Sequence, residues 1–385
     1  MNILFLEWKS YCVPDMIEAF QEAGHSVDLI SCQEMTDRYH PDFPELFSNL
    51  LEHKNYDFVF TFNYFPSVSK CCNELHLPYV SWVYDNPLVS LYSCTVINPC
   101  NYIFLFDRHT YETFHNGGIS TVYYLPLCAN PRRLRSCISS ETIQNDISFV
   151  GSLYTEKKQR LFERLDSLDD YSKGYLDALT STQSRISGFF FLEELLNPSL
   201  LQALETAYPV TPNKDGAETT AYLYSHYFLG RKATSLERHD LLQKLSEHFA
   251  VTLYTYESPD DLPLVHYAGK IDYYDTMPSV FANSKINLNI TLKTIQTGIP
   301  LRTWDIMGCK GFLLSNYQEE LLDYFIPGED FVFYESADDA LEKSAYYLEH
   351  EKERREIAQN GFEKVKSFHT FTHRVQDILR ITAFS

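Results

Sequence analysis

The stretch INLNITLKTIQTGIPLRTWDIMGCKGFLLSN, residues 286–316, joins two apolar runs through a loop that contains glycine, proline and arginine. The runs INLNIT and GFLLSN have the length and composition of buried strands, and a helix is expected between them through DIMGC. A strand, a loop, a helix and a second strand in this order form a unit whose strands lie parallel. The loop after the first strand then lies at the carboxyl edge of the sheet, where open α/β sheets bind ligands.

The same alternation continues outward from this stretch. In the first 130 residues, apolar strands such as NILFLEW and YDFVFTFN alternate with amphipathic helices such as PDMIEAFQEAG, which predicts a parallel sheet covered on both faces. A second series opens at ISFVGSLYTEKKQRLFERL and resumes after a helical insertion at about 166–247. The sequence therefore predicts an α/β protein with two Rossmann-like domains that face each other across a cleft.

The expected domain boundaries follow from changes in composition. The first domain spans residues 1–130 and the second spans residues 146–368. Between them, the polar stretch CANPRRLRSCISSETIQND predicts a linker at 131–145. The segment THRVQDILRITAF predicts a last helix within residues 369–385.

Composition excludes several classes of protein. The chain has 385 residues, of which 44% are hydrophobic and 22% charged, so it can bury the cores of two domains. A net charge of −20 opposes binding to nucleic acid, whereas a few local cations are enough to hold a small nucleotide. With no signal-like segment and no apolar run of about 18 residues, we expect a cytoplasmic protein without a membrane span. The nine cysteines include no CxxC pair, which indicates reduced thiols.

The loop TGIPLR contains the main candidates for nucleotide binding. Thr297, Gly298 and Ile299 precede Arg302, and Asp305 follows three residues later. Backbone amides near a glycine can turn toward a diphosphate, a guanidinium can bind phosphate oxygens bidentately, and a carboxylate can accept hydrogen bonds from both ribose hydroxyls. The alternative is an ordinary loop in which Asp305 caps the helix and pairs with Arg302. Spacing alone does not separate these interpretations.

A second candidate is the turn FVGSLYTEKK. Gly151 and Ser152 directly follow a strand there, and the next helix start offers free N–H groups to a phosphate. A lone glycine after a strand is a weak signal. Two groups of cations could add positive charge, namely Lys157 and Lys158, and the cluster Arg231, Lys232 and Arg238. For the cluster, the default role is to pair with the chain's many acidic residues.

On the amino-terminal side, Asp85 follows a strand in the sequence YDNP and Glu7 follows the first strand. Either carboxylate could act as a general base on an acceptor hydroxyl, and the alternative for Asp85 is a turn residue before Pro87. His369 and His373 have the spacing of a metal pair on a helix, but no third ligand lies nearby in the sequence. We therefore expect neither a metal site nor a cofactor.

The segment from INLNIT to FHTFTHRV, residues 286–375, resembles the carboxyl-terminal domain of glycosyltransferase group 1 proteins. More narrowly, with SWVYDNP, FVGSLY and LERHDLLQKLSEHFAVTLYT, the chain resembles a spore-maturation-like branch that carries an amino-terminal domain of unknown function. The resemblance is dense over about the last 100 residues and thinner in the first 130. It implies the GT-B fold, in which two Rossmann-like domains are present and the second binds most of a sugar nucleotide.

The group 1 pattern has two glutamates eight positions apart, of which the second holds the ribose. By this resemblance Asp305, in DIMGCKG, takes the ribose role, and Arg302 and Gly298 face the diphosphate. The position eight residues before Asp305 is Thr297, which is not an acid. This departure leaves both the contact to the donor sugar and the stereochemistry open.

The resemblance implies a glycosyltransferase of hexosyl or N-acetylhexosaminyl type. It would use a nucleoside diphosphate sugar, with uridine as the expected base, and an unknown acceptor: a protein, a glycan or a small molecule. No metal is expected, because cations and helix dipoles can stabilise the leaving diphosphate. Two alternatives stay open, a nucleotide-sugar epimerase on the same fold and a non-catalytic protein for binding or coat assembly.

Overall fold

The computed structural model describes residues 1–52, 54–138, 142–155 and 165–384. The chain divides into two compact units. Unit 1 comprises Met1–Cys128, Asn213–Glu218 and Phe368–Ser385, and unit 2 comprises Ala129–Pro212 and Thr219–Ser367. Lys157 and Lys158, which could add positive charge after the FVGSLY turn, lie outside the described residues.

Unit 1 is built on a parallel sheet of six strands in the order β2-β1-β3-β4-β5-β6. The strands are β1 (Asn2–Glu7), β2 (Ser26–Ser31), β3 (Phe58–Phe62), β4 (Tyr79–Val83), β5 (Asn101–Leu105) and β6 (Val122–Tyr124). All residues of β3 and β4 are buried, because helices cover a parallel sheet on both faces and its central strands are apolar throughout. The helices are α1 (Val13–Glu22), α2 (Phe43–Leu51), α3 (Pro66–Glu74) and α4 (Arg108–Asn116), with 3₁₀ turns at Gln33–Thr36, Val89–Tyr92 and Cys94–Ile97.

Unit 2 contains a second parallel sheet of six strands, in the order β12-β11-β10-β7-β8-β9. Its strands are β7 (Asn145–Val150), β8 (Val251–Tyr254), β9 (His266–Tyr267), β10 (Ser284–Asn289), β11 (Leu313–Asn316) and β12 (Val332–Tyr334). β10 and β11 are the two strands predicted around the TGIPLR loop. They pair directly, with Asn287 opposite Leu313. The loop therefore leaves the carboxyl end of a central strand.

The helices of unit 2 begin with α5 (Pro131–Ser136), α6 (Asp170–Ser184), α7 (Pro198–Ala207), α8 (Thr220–Tyr222), a π-helical stretch at Leu223–Leu229 and α9 (Gly230–Ser246). They continue with α10 (Met277–Ala282), α11 (Leu301–Gly308), α12 (Leu321–Tyr324), α13 (Ala337–Glu349) and α14 (Glu351–Phe368). The range 166–247, where the sequence predicts a helical insertion, contains α6 to α9 with the π-helical stretch, and an apolar cluster around Leu204 and Tyr224 is buried there. α5 falls within the expected linker at 131–145. It forms because Asn130 caps it and Pro131 fits its first turn.

Two segments distant in sequence complete unit 1. The last helix, α15 (Phe371–Thr382), begins with a capping box between Thr370 and His373. Arg374 in this helix donates to the carbonyl oxygens of Pro126 at 2.8 Å and Leu127 at 3.3 Å. The Asn213–Glu218 segment joins at Asp215, whose carboxylate accepts hydrogen bonds from Arg38 and Ser93. The capping role of His373 accounts for one of the two histidines with metal-like spacing.

Candidate functional site

The turn after β7 brings the backbone close to a guanidinium. Gly151 donates its N–H to the carbonyl of Tyr254 at 3.0 Å, which fixes the start of the turn. A Cβ placed on Gly151 would lie 2.6 Å from Nη2 of Arg302 and 3.1 Å from its Cζ. The turn ends at Tyr154, a non-glycine residue with a φ of 60°. The N–H of Tyr154 donates a hydrogen bond to the Oγ of Ser152 at 2.9 Å. Only a glycine leaves room for Arg302 at this point.

Two arginines from different elements converge on this turn. Arg302 projects from the first turn of α11 and lies 5.4 Å from the ring centre of Phe149. Arg238 of α9 lies 5.3 Å from the same ring and 4.9 Å from that of Tyr154. Arg238 is 3% exposed and donates to the carbonyl oxygens of Ser152 and Ile290, at the carboxyl ends of β7 and β10. The two guanidiniums therefore lie at the carboxyl edge of the sheet.

The positive charge of this pair is only partly balanced, because Tyr154 and Asp305 favour the charged form of Arg302 while burial and Arg238 oppose it. Within the described part of the chain, neither Arg238 nor Arg302 forms an ion pair with a carboxylate. Burial, reinforced by the charge of Arg238, lowers the pKa of Arg302 to about 10. Arg302 is thus protonated at neutral pH, against the repulsion of the neighbouring charge of Arg238. An anion placed beside Gly151 would relieve this repulsion.

The other members of the predicted basic cluster have different roles. Arg231 lies beside the turn, 6.0 Å from the ring of Tyr154 and 5.8 Å from that of Tyr227. Lys232 instead pairs with Asp177 of α6, which is the default role expected for the cluster. Arg231 therefore lies near Tyr154, at the end of the turn that contains Gly151 and Ser152, whereas Lys232 pairs with an acidic residue.

The TGIPLR loop places Thr297 against a buried carboxylate. Thr297 donates through its hydroxyl to Oε1 of Glu320 at 2.8 Å, and its carbonyl accepts the N–H of Glu320 at 3.1 Å. Glu320 is 0% exposed, whereas its neighbour Glu319 is exposed. The Thr297 loop therefore covers the side chain of Glu320 and leaves that of Glu319 in solvent. Gly298 and Ile299 are buried in the same loop.

Asp305 lies inside α11, on its buried side. Pro300 occupies the N-cap position and Asp305 is 2% exposed, so the interpretation of Asp305 as a helix cap is wrong. It accepts a hydrogen bond from the hydroxyl of Tyr273 at 3.3 Å. The ring of Tyr273 lies in turn 5.5 Å from the guanidinium of Arg133. Asp305 is therefore held in a polar environment made by α5, α11 and the loop before α10.

Unit 1 carries the two predicted general bases at the carboxyl edge of its own sheet. Asp85 follows β4, is exposed, and accepts a hydrogen bond from Nδ2 of Asn63 at 2.7 Å. The Oδ1 of Asn63 accepts the N–H groups of Tyr84 and Asp85, which fixes the loop. Glu7 ends β1 and accepts the N–H of Lys9 at 2.5 Å, where the backbone turns with a φ of 72°. A catalytic role for either carboxylate stays a prediction.

Solved structures share this fold along the whole chain. Sucrose-phosphate synthase from Thermosynechococcus elongatus is 13% identical, with a TM-score of 0.55 over 100% of this chain and 98% of its own. A glycosyltransferase from Rickettsia africae is 12% identical, with a TM-score of 0.56 over 99% and 97%. Anabaena Alr3699/HepE, solved in complex with UDP, is 11% identical, with a TM-score of 0.54 over 100% of both chains.

The chain has the GT-B fold. This confirms the predicted α/β class with two Rossmann-like sheets. Residues 232–380 also match a family model described as glycosyl transferase-like. This part of the chain contains the TGIPLR loop, Arg302 and Asp305, whereas Gly151 and the predicted bases of unit 1 precede it. No curated protein matches the chain in sequence. In the described part of this GT-B chain, no helix has the length and apolarity that crossing a bilayer requires.

Two residues of the site, Tyr273 and Glu320, were not predicted as site residues from the sequence. Tyr273 comes from the loop before α10, and Glu320 follows β11. Arg238 of α9 was named as a possible source of positive charge, with pairing to acidic residues as its default role, and it lies at the Gly151 turn. The available signal for Glu320 was the absence of an acid at position 297, where the group 1 pattern has one. The buried carboxylate of Glu320 lies directly beside Thr297.

Proposed function

We propose that this protein is a glycosyltransferase that transfers a sugar from a nucleoside diphosphate donor, with uridine as the base, to an acceptor hydroxyl. The observation that carries the proposal is the pair Arg238 and Arg302, which meet over Phe149 beside Gly151 without a carboxylate partner among the described residues. A diphosphate is the anion that fits two guanidiniums at the carboxyl edge of such a sheet. The glycosyl transferase-like match and the spore-maturation-like resemblance support the same assignment.

The leaving nucleoside diphosphate would be stabilised by these fixed cations. Charge develops on the diphosphate as the glycosidic bond breaks, and a pre-positioned guanidinium stabilises that charge without having to reorganise. The N–H groups of the Gly151 turn and of the first turn of α11 add partial positive charge. The proposed mechanism therefore does not require a metal ion.

The remaining contacts to the donor would come from two carboxylates. Asp305 would accept hydrogen bonds from the ribose hydroxyls, in exchange for its bond to Tyr273. Glu320 lies beside Thr297, where the group 1 pattern has its first glutamate, and we assign to it the contact to the donor sugar. Asp85 would act as general base on the acceptor, with Asn63 keeping its carboxylate oriented.

Binding of UDP to wild type and to Arg302→Ala tests the proposal. UDP should raise the melting temperature of the wild-type protein by mass action. The variant should bind UDP at least about tenfold more weakly, because a hydrogen bond to a charged group contributes about 1.5–3 kcal/mol. Arg380→Ala is the matched control, since this exposed arginine pairs only with Asp377 on the surface of α15.

Three results would contradict the proposal. The first is a UDP response that Arg302→Ala leaves unchanged. The second is conversion of a UDP-sugar to its isomer in the absence of any acceptor, followed by NMR, which would identify an epimerase. The third is binding of UDP with no turnover of any donor in the presence of candidate acceptors, which would favour the non-catalytic alternative.

A further inference from the structure

A second pocket lies at the opposite edge of the unit 2 sheet from the arginine pair. Ser284 and Lys285, which begin β10, line it together with Phe312, which directly precedes β11. The pocket has a volume of about 180 Å³, far more than a single water molecule needs. It belongs entirely to unit 2, and none of the residues assigned above to donor binding lines it.

Among the lining residues that the structure describes, every charged side chain is a cation. They are Arg135, Lys285, Lys310, Arg354 and Arg355, and no carboxylate is found among the lining residues that the structure describes. A chain with a net charge of −20 has far more acidic than basic residues to distribute over its surface. Five cations around one cavity therefore form a local positive potential that opposes the field of the whole molecule.

Only some of these cations are neutralised by the protein itself. Lys285 pairs with Asp146 at 2.6 Å, and Arg355 pairs with Glu351 on the same helix at 2.6 Å. For Lys310 and Arg354, no ion pair is found within the described ranges. The cluster therefore holds positive charge in excess of its bound carboxylates, and like charges this close repel one another.

The side chain of Arg354 lines the pocket and is held in one position by hydrogen bonds to the backbone. It is 4% exposed, and its Nη1 donates to the carbonyl oxygens of Tyr347 and Leu348 at the end of α13. Burial lowers the pKa of this arginine, with a further contribution from Arg355. A guanidinium anchored through one nitrogen presents its other N–H groups in a fixed plane, which matches the geometry of phosphate oxygens.

We propose that this pocket, at the amino edge of the sheet between α5, β10 and α14, binds the phosphate group of a small soluble anion. The volume accommodates a phosphate and part of what it is attached to, so free phosphate and a phosphomonoester are the two sources of this chemistry. Lys310 lies two residues after α11, the helix that carries Arg302 and Asp305. An anion here would thus lie near the carboxyl-terminal end of the helix whose first turn faces the donor site, and the cations of the pocket would have to offset the partial negative charge of that end.

The test uses the full chain with Arg302→Ala, so that phosphate binding beside Gly151 is weakened and the second pocket is observed. Inorganic phosphate and glucose 6-phosphate are titrated separately at constant ionic strength, with melting temperature and ³¹P line width as readouts. A variant that adds Lys310→Gln and Arg355→Gln removes two exposed cations of the pocket without disturbing buried groups. A control variant adds Lys352→Gln instead, a fully exposed lysine on α14 that does not line the pocket.

We expect saturable binding in the Arg302→Ala protein. Binding should be retained with Lys352→Gln and at least about tenfold weaker in the pocket variant, because that variant loses charged hydrogen bonds to the anion. Tighter binding of glucose 6-phosphate than of phosphate would identify a phosphomonoester as the ligand, and equal binding would identify the free ion. The proposal would be overturned if no saturable binding were found, or if the pocket variant and the control variant bound the anion with equal affinity. Because UDP binding to wild type is measured separately, failure here leaves the assignment of Arg302 intact.

Discussion

At the scale of single residues, the site depends on the space beside Gly151. The guanidinium of Arg302 fills the space that a Cβ on Gly151 would need, and it lies against the ring of Phe149. The sequence predicted both residues, because a glycine after a strand and an arginine after a glycine loop are local signals. It could not predict their contact, since 150 positions separate them and only the pairing of β7 with β10 brings them together.

Gly151→Ala should weaken UDP binding while leaving the fold intact. The new Cβ would lie 2.6 Å from Nη2 of Arg302, so the end of a flexible side chain has to move, and the backbone conformation of Gly151 is open to alanine. We expect about tenfold weaker UDP binding by calorimetry, with a melting temperature of the free protein close to wild type. Gly174→Ala is the control, because nothing lies within 4 Å of its Cβ and alanine favours helix α6. Unchanged UDP affinity in Gly151→Ala would place the diphosphate elsewhere.

Glu320→Gln tests the assignment of the donor sugar contact. Glutamine keeps an oxygen for the hydroxyl of Thr297 but removes the negative charge. Wild type should bind the preferred nucleotide sugar more tightly than UDP. In the variant, the ratio of these two affinities should fall about tenfold, because the contact to the sugar is weakened. Its affinity for UDP alone should stay within about twofold of wild type. Both affinities can be measured by competition. Glu319→Gln is the matched control, since that glutamate is exposed; an equal loss in both variants would contradict the role of Glu320.

At the scale of elements, the apolar strands were predicted well because each fully buried strand of a parallel sheet is a continuous hydrophobic run. The runs YDFVFTFN and NYIFLFD correspond to β3 and β5. The pattern missed α5, whose six residues are mostly polar and depend on the Asn130 cap. It also missed the attachment of Asn213–Glu218 to unit 1, because that contact rests on hydrogen bonds of Asp215 to residues that carry no sequence signal.

The last helix was predicted from its amphipathic pattern, but its role in closing unit 1 is visible only in the structure. Phe371 is 5% exposed and its ring lies 5.9 Å from that of Trp82. Phe371→Ala should lower the free energy of unfolding by about 3–5 kcal/mol, because truncating a buried phenylalanine leaves a cavity. Urea titration followed by tryptophan fluorescence measures this loss. Phe368→Ala, which truncates a ring that is 64% exposed, should change stability by less than about 0.5 kcal/mol. Similar losses in the two variants would show that α15 does not support unit 1.

At the scale of the whole molecule, each unit has a core of its own. The unit 1 core gathers around β1, β3 and β4, and that of unit 2 around β7, β8 and β10. The sequence predicted two such domains, because the polar stretch at 131–145 interrupts the first series of strands and helices and a second series opens after it. It did not predict that unit 1 takes its last helix from the carboxyl terminus, because an amphipathic pattern shows that a helix has a buried face and not which sheet covers it.

Separate cores imply that a nucleotide should stabilise one unit more than the other. The chain has three tryptophans, with Trp8 and Trp82 in unit 1 and Trp304 in unit 2. Trp304 is fully buried in α11, two residues from Arg302. A protein with Trp8→Phe and Trp82→Phe therefore reports the unfolding of unit 2 alone, and a protein with Trp304→Phe reports that of unit 1.

We expect saturating UDP to raise the unfolding midpoint seen through Trp304, because a ligand held at one hundred times its dissociation constant stabilises the form that binds it by about 2.7 kcal/mol. The midpoint seen through Trp8 and Trp82 should rise by less than half as much, since the predicted contacts to the nucleotide lie in unit 2. Thermal melts of the two proteins with and without UDP measure both shifts, and the free proteins serve as their own baselines. Equal shifts through both sets of tryptophans would mean that the units unfold as one cooperative body, and a shift confined to Trp8 and Trp82 would place the nucleotide on unit 1.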